Sequence, residues 1–173
     1  CKLVQLKHNY NLKYLYGQDY GYRTGINKTM SEHVKNVTKV LKKKSNIKPG
    51  EYILDIASND GTLLNFYEKK YYTFGIDPLV KKYEKNYKSI NFKIPSFFSK
   101  DKITKVTSKK FKIITALAVF YDLENPNSFL NEVEKLLHED GIILIEFADI
   151  LSMIKFNMFD AICHEHLMYL SSK

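Results

Sequence analysis

The sequence predicts an α/β protein built on a doubly wound, mostly parallel sheet, and three observations carry that prediction. Short apolar runs at residues 52–54, 72–76, 92–94, 111–118 and 142–147 alternate with segments of helical spacing. The first two runs each stop at an acid, Asp55 and Asp77, where strands of an open α/β sheet face a ligand crevice. Between residues 29 and 150 no repeat, low-complexity stretch or linker interrupts the alternation.

The elements follow in order. Residues 1–25 are rich in Tyr and Gly, with a short strand expected at 3–6 and irregular structure after it. From Thr29 a helix is predicted, because Met30, His33, Val34, Val37, Val40 and Leu41 recur at helical spacing. Thr29 or Ser31 is a candidate N-cap, and Lys42, Lys43 and Lys44 suit the negative end of the helix dipole. Pro49 and Gly50 then break the chain before the strand that ends at Asp55. A turn through Gly61 resumes as a helix-like pattern at Thr62, Leu63 and Leu64. The second strand, 72–76, runs into Asp77-Pro78 and a helix over 79–88. The third, 92–94, has Phe97 and Phe98 at its mouth; the fourth is 111–118. Asn127 starts a helix with Phe129, Leu130, Val133, Leu136 and Leu137 on one face, Gly141 ends it, and 142–147 is the fifth strand.

Length and composition bound the partners. A chain of 173 residues, 45% hydrophobic, is enough for one domain with a real core. The net charge is +8, but the lysines are scattered, and no single element carries a basic and aromatic patch, so no nucleic-acid partner is expected. No apolar run approaches the roughly 18 residues of a membrane span, so no membrane partner is expected. No signal-peptide pattern opens the chain, which reads as cytoplasmic. Cys1 and Cys163 are too few for a disulfide framework, and a first residue other than Met reads as a fragment or a processed piece.

Two stretches hold the chemistry. A strand that stops at an acid and turns through small residues into a helix lets backbone approach a ligand and offers free N–H groups. The turn at 55–61 has one glycine, Gly61, so the Gly-x-Gly-x-x-Gly of NAD or FAD sites is missing. An ordinary βα turn fits the same residues. Asp77, at the tip of the second strand, is placed to accept hydrogen bonds from a ribose diol, or closes an Asp-Pro turn. The second stretch is Cys163-His164-Glu165-His166, in the loop after strand five. His166 suits a general base, with Glu165 to orient it, polarise substrate or form a salt bridge. If the segment is extended, His164 and His166 share a face and supply half a metal site. A structural network also remains open.

Taken together, Tyr20-x-Tyr22-Arg23-Thr24-Gly25, Met30-x-x-His33, the Asp55–Gly61 turn, Gly75-Ile76-Asp77-Pro78, Phe120-Tyr121-Asp122-Leu123-x-x-Pro126 and His164-Glu165-His166-Leu167-x-Tyr169 resemble a known family. It is that of the S-adenosylmethionine (SAM)-dependent C-methyltransferases that modify nucleotide-linked keto-deoxysugars. The resemblance implies a Rossmann-like class I SAM methyltransferase topology, here lacking its last strands. It implies SAM as cofactor, with Asp55, Ala57, Asn59 and Gly61 at its methionine end and Asp60 among them. Asp77, beside Pro78, would hold the ribose, while Phe97, Ala116, Leu117 and Ala118 flank the adenine. His166 would be the general base for methylation of a carbon next to a ketone, with Glu165, His164, Tyr20 and Tyr22 completing the acceptor site. The acceptor would be a small molecule, most simply a nucleotide-linked sugar, and an open sheet edge would suit a homodimer.

The family carries a zinc-binding domain ahead of the methyltransferase domain, and Cys1 before Leu3-Val4-Gln5-Leu6 resembles its last ligand. Residues 1–28 would then be a remnant and lead-in, and 29–173 a C-terminally incomplete methyltransferase domain with no metal of its own. Three positions depart from the family: Ala57 and Asn59 stand where glycines are usual, and Cys163 replaces a tyrosine able to hydrogen-bond an enolate oxygen. An O- or N-methyltransferase of small molecules, or a noncatalytic SAM-binding domain, are the rival readings.

Overall fold

The computed structural model describes residues 3–17 and 19–171. The expected zinc ligand, Cys1, lies outside the described residues. Strand β1 (Val4–Gln5) is followed by a one-turn helix α1 (Leu12–Leu15), capped by the Asn11 side chain, which accepts from the Lys13 N–H at 3.0 Å. The long helix α2 (Lys28–Ser45) buries Val34, Thr38, Leu41 and Ser45. Its cap is Asn27, which accepts from the Met30 N–H at 3.1 Å, so neither Thr29 nor Ser31 does that work. Its last turn holds Lys42, Lys43 and Lys44, and Asn46 leaves it in the left-handed region at φ 50°.

Then come β2 (Tyr52–Ile56), β3 (Tyr72–Ile76), β4 (Phe92–Ile94), α3 (Lys100–Thr104), β5 (Phe111–Leu117), α4 (Pro126–Leu136), β6 (Leu137–Glu146), α5 (Ile150–Lys155) and β7 (Met168–Tyr169). Five strands form one parallel sheet in the order β4-β3-β2-β5-β6. The chain winds outward from β2 through β3 to β4, then returns to β5 on the other side. That reversal opens a crevice beyond the carboxyl ends of β2 and β5. Both faces are covered, as a parallel sheet requires. On one, α2 packs Val34 and Leu41 with Ile53, Leu64, Tyr87 and Ile113; on the other, α3 and α4 pack Ile103, Phe129, Val133 and Leu136 over Leu54, Phe74, Ile76 and Ile114.

The helices expected after Gly61 and over 79–88 are instead short 3₁₀ turns, at Leu64–Phe66, Pro78–Val80 and Glu84–Asn86. Polar side chains hold the backbone there in place of a helical ladder. Asn65 Nδ2 donates to the Asn86 carbonyl at 2.7 Å, and the Asn65 side-chain oxygen accepts from the Ser89 N–H at 3.3 Å. Tyr67, Tyr71, Tyr83 and Tyr87 of this region are buried in the core beneath α2.

Gly141 does not end α4. The helix stops at Leu136, and β6 starts at once, with a register irregularity against β5 between Phe111 and Ile113. A Cβ at Gly141 would stand 2.8 Å from the Phe111 carbonyl oxygen, so this glycine permits a close backbone approach within the sheet. The expected strand at 3–6 is present as β1, and its partner is β7, antiparallel, with Val4 opposite Tyr169 and Gln5 opposite Met168. The N-terminal segment therefore braces the end of the His164-Glu165-His166 loop.

Candidate active site

A cleft of about 1090 Å³ opens at the carboxyl ends of the central strands. Its volume is at the upper end for small-molecule sites and suits a nucleotide-sized ligand with a second small molecule beside it. At its floor Asp55, the last residue but one of β2, is buried, with Thr115 Oγ1 donating to its Oδ1 at 2.6 Å. Burial pushes this carboxyl up to about 7, against the pull of the Thr115 bond.

The turn that follows takes positive φ three times: Ala57 at 58°, Asn59 at 50° and Gly61 at 76°. Ala57 and Asn59, read as departures at glycine positions, keep the glycine-like backbone. Asp77 fastens the turn to β3: its Oδ2 accepts from the Asn59 N–H at 2.9 Å and its Oδ1 from the Leu79 N–H at 2.7 Å. Burial raises the Asp77 carboxyl above its usual range, and the two backbone bonds oppose that.

The side chains of Asn59 and Asp60 point to the N-terminal segment. Asn59 accepts from the Thr24 N–H and donates to the Tyr22 carbonyl, each at 3.0 Å. Asp60 accepts from the Gly25 N–H at 3.1 Å and from Thr62 Oγ1 at 2.6 Å, with Arg23 Nε 3.5 Å away. These bonds lay Tyr22 along the cleft wall. Of the residues singled out for the cofactor, Asp55, Ala57, Asn59, Asp77, Pro78, Phe97, Leu117 and Ala118 line the cleft. Asp60, Gly61 and Ala116 do not. Asp60 serves the clamp on 23–25, Ala116 is buried within β5, and a Cβ on Gly61 would meet Ile90 at 2.8 Å and the Tyr87 ring at 3.1 Å.

Residues 163–166 form a turn, with the His166 N–H donating to the Cys163 carbonyl at 3.2 Å, so the extended arrangement of this segment does not occur. Three bonds hold the loop: Leu6 N–H to the Leu167 carbonyl (2.9 Å), Leu167 N–H to the Tyr121 carbonyl (2.9 Å) and Ile150 N–H to the Leu170 carbonyl (2.8 Å). Glu165 and His166 line the cleft with Tyr22. His164 does not; it is exposed beside the Tyr10 ring, at 5.8 Å between centroids. The His-x-His metal pair is thereby separated. Among the described residues, Cys163, Glu165 and His166 are the set of potential metal donors that comes together, their donor atoms within 4.8 Å of one another.

His166 Nδ1 lies 3.0 Å from the Ala161 carbonyl oxygen. A carbonyl only accepts, so Nδ1 carries the hydrogen and Nε2 is left as the acceptor in the neutral ring. The ring packs 4.1 Å from that of Tyr121.

A family model described as a methyltransferase domain matches residues 22–173. The chain belongs to that family. This methyltransferase domain is 23% identical over 175 residues to the C-methyltransferase NovU of Streptomyces niveus, across 99% of this chain and 41% of that protein. Its fold is similar to that of the plantazolicin methyltransferase BamL, crystallised with a triazolic desmethylPZN analog and SAH: TM-score 0.61, 23% identity, 80% of this chain and 54% of that one. It is also similar to a SAM-dependent methyltransferase from Clostridium acetobutylicum ATCC 824, at TM-score 0.59 and 14% identity, over 73% of this chain and 54% of that one. The domain thus spans about two fifths of the curated relative and about half of these solved chains. The five-stranded parallel sheet is the Rossmann-like fold of class I SAM-dependent methyltransferases.

The structure adds cleft residues that the sequence reading left without a role. Tyr16 comes from the irregular segment, where nothing in the pattern marks it, whereas Tyr20 stood with Tyr22 in the motif read as positioning the acceptor. Glu146 ends β6 with its Oε2 2.7 Å from His33 Nε2, and a lone acid closing an apolar run was its signal. Asp122 stood inside a quoted motif, directly after strand four of the sequence reading, which is the place where its signal lay.

Proposed function

We propose that this domain belongs to a SAM-dependent C-methyltransferase that methylates a carbon next to a ketone, in a nucleotide-linked deoxysugar or a related small molecule. One observation carries the reading. His166, in the wall of the cleft, is held through Nδ1 by a backbone carbonyl and so keeps Nε2 free to take a proton. A carbon beside a ketone is not nucleophilic until such a base removes its proton.

The cleft fits the cofactor. The positive-φ turn lets backbone approach the methionine end between Asp55 and Asn59, Asp77 with Pro78 meets the ribose, and Phe97, Leu117 and Ala118 wall the adenine. Asp60, Gly61 and Ala116 shape that site from behind. When bound, SAM supplies a methyl group activated by a sulfonium. His166 takes the acceptor's proton, and Glu165 and Tyr22 position the acceptor. The same reading makes residues 1–28 a lead-in from a zinc-binding region, 29–173 the methyltransferase domain without its own metal, and the cytoplasm its location. It pairs two copies through the outer edge of β6. Among the described residues no helix is long and apolar enough to cross a membrane.

Calorimetric titration of the full-length protein with S-adenosylhomocysteine tests the cofactor, with NAD as control and Asp77→Ala beside it. Micromolar binding of S-adenosylhomocysteine, absent for NAD and weakened about ten-fold or more in the variant, is the expected result. Binding of NAD instead, or of neither, sinks the reading.

A further inference from the structure

We infer that the Asp122 carboxyl is a second catalytic group of this site, holding a proton that it offers as a hydrogen bond to the acceptor's ketone oxygen while His166 removes the neighbouring C–H proton. The inference rests on the C-methyltransferase reading above. Removing that proton leaves negative charge on the ketone oxygen, and a donor aimed at that atom is worth more than any ground-state contact.

Asp122 closes the 3₁₀ turn Phe120–Asp122, just past the carboxyl end of β5 and beside the point where the strand order reverses. It is 5% exposed and shares the cleft wall with Glu165 and His166. Its Oδ1 has no hydrogen-bond partner in the protein, although it is buried. The preceding residue, Tyr121, packs its ring at a tilt against that of His166, and its carbonyl accepts from the Leu167 N–H, so the Asp122 turn and the His166 loop are fixed to one another.

An ionised carboxylate with one oxygen sealed from water and unpartnered is costly, whereas the protonated acid carries no such charge. The surroundings favour the second state. Tyr16, from the end of α1, hydrogen-bonds the carboxyl, Tyr20 and Tyr121 face it, and its charged neighbour is another acid, Glu165. Burial, helped by Glu165 and opposed by the Tyr16 bond, pushes Asp122 up to about 7. A buried acid kept neutral so that it can donate to an enolate oxygen is an established solution to this problem in other folds. In the step itself, the C–H proton passes to His166 Nε2, the C–H electron pair becomes the enolate double bond, and the charge settles on oxygen under the Asp122 O–H. Asp122 keeps its proton throughout.

The test isolates that step. The full-length protein, with S-adenosylhomocysteine replacing the methyl donor, is mixed in D₂O with a nucleotide-linked keto-deoxysugar, and NMR follows loss of the C–H signal beside the ketone. Wild type should exchange and His166→Ala should not. Asp122→Ala should slow exchange about 100-fold or more with KM little changed. Asp122→Asn, whose amide donates without titrating, should stay within about ten-fold of wild type and lose the decline that wild type shows as pH rises past about 7. Asp122→Ala exchanging at the wild-type rate while His166→Ala is inactive would overturn the role of Asp122 and leave the base standing. If Asp122→Ala fails to fold, judged by S-adenosylhomocysteine affinity, an unchanged pH profile in Asp122→Asn overturns it equally. No exchange in wild type, or normal exchange in His166→Ala, would remove the C-methyltransferase reading and this inference with it.

Discussion

At the scale of single residues, the acids of the cleft set a pH dependence of stability. Asp55 titrates near 3.8 when unperturbed and near 7 in the folded chain, because burial disfavours its charge. Its folded pKa is raised, so the native state binds more protons than the unfolded chain between those values. Stability therefore falls as pH rises from about 4 to 7 and stays at the lower level above. Asp55→Asn keeps an acceptor for Thr115 and cannot ionise. Urea unfolding should find it more stable than wild type by on the order of 4 kcal/mol at pH 8, with the difference shrinking towards pH 4. A difference that stays constant with pH would contradict the assignment. The position of Asp55 was legible because an acid ended an apolar run. The surroundings of Asp122 were not, since Tyr16 and Glu165, which lie beside it, are distant in sequence.

At the scale of elements, the turn after β2 shows how far sequence pattern reaches. Its small residues marked a close backbone approach, and the structure gives Ala57 and Asn59 the φ values that glycines adopt with least cost. Asn tolerates that region; Ala does so at a cost of about 1–2 kcal/mol, partly offset by the greater freedom of glycine in the unfolded chain. Ala57→Gly is therefore expected to stabilise the protein by up to about 1 kcal/mol, raising Tm by a few degrees and leaving S-adenosylhomocysteine affinity within about three-fold. A lowered Tm would show that the Ala57 methyl packs better than its backbone strains. The strands were readable because buried parallel strands are apolar whatever surrounds them. The helices at 62 and 79–88 were misread because Leu and Tyr spacing cannot reveal that the Asn65 side chain ties the backbone at Asn86 and Ser89. Gly141 looked like a helix stop, and only pairing with Phe111 gives it another purpose.

At the scale of the whole molecule, the surface is uneven in a way that charge counting misses. The +8 charge is spread over the fold, but apolar side chains gather in one short stretch. Ile154, Phe156, Phe159 and Ile162, from the end of α5 to the turn before Cys163, are each more than half exposed, and Leu151 adds to them. Nearby in the chain, Ile142, Ile143, Leu144 and Ile145 of the edge strand β6 are only partly covered. Exposed apolar surface concentrated like this favours association, and β6, an edge strand of the sheet among the described residues, adds to it. Sedimentation of the 173-residue chain should accordingly show a weight that rises with concentration in the tens of micromolar, and the pair Ile154→Lys with Phe159→Lys should hold it monomeric. A wild-type chain that sediments as a monomer throughout would remove the homodimer from the reading. If this chain associates while the full-length protein does not, the same patch is covered within one polypeptide. The wall of the cleft formed by Glu165 and His166 would then be braced from outside by the remainder of that polypeptide.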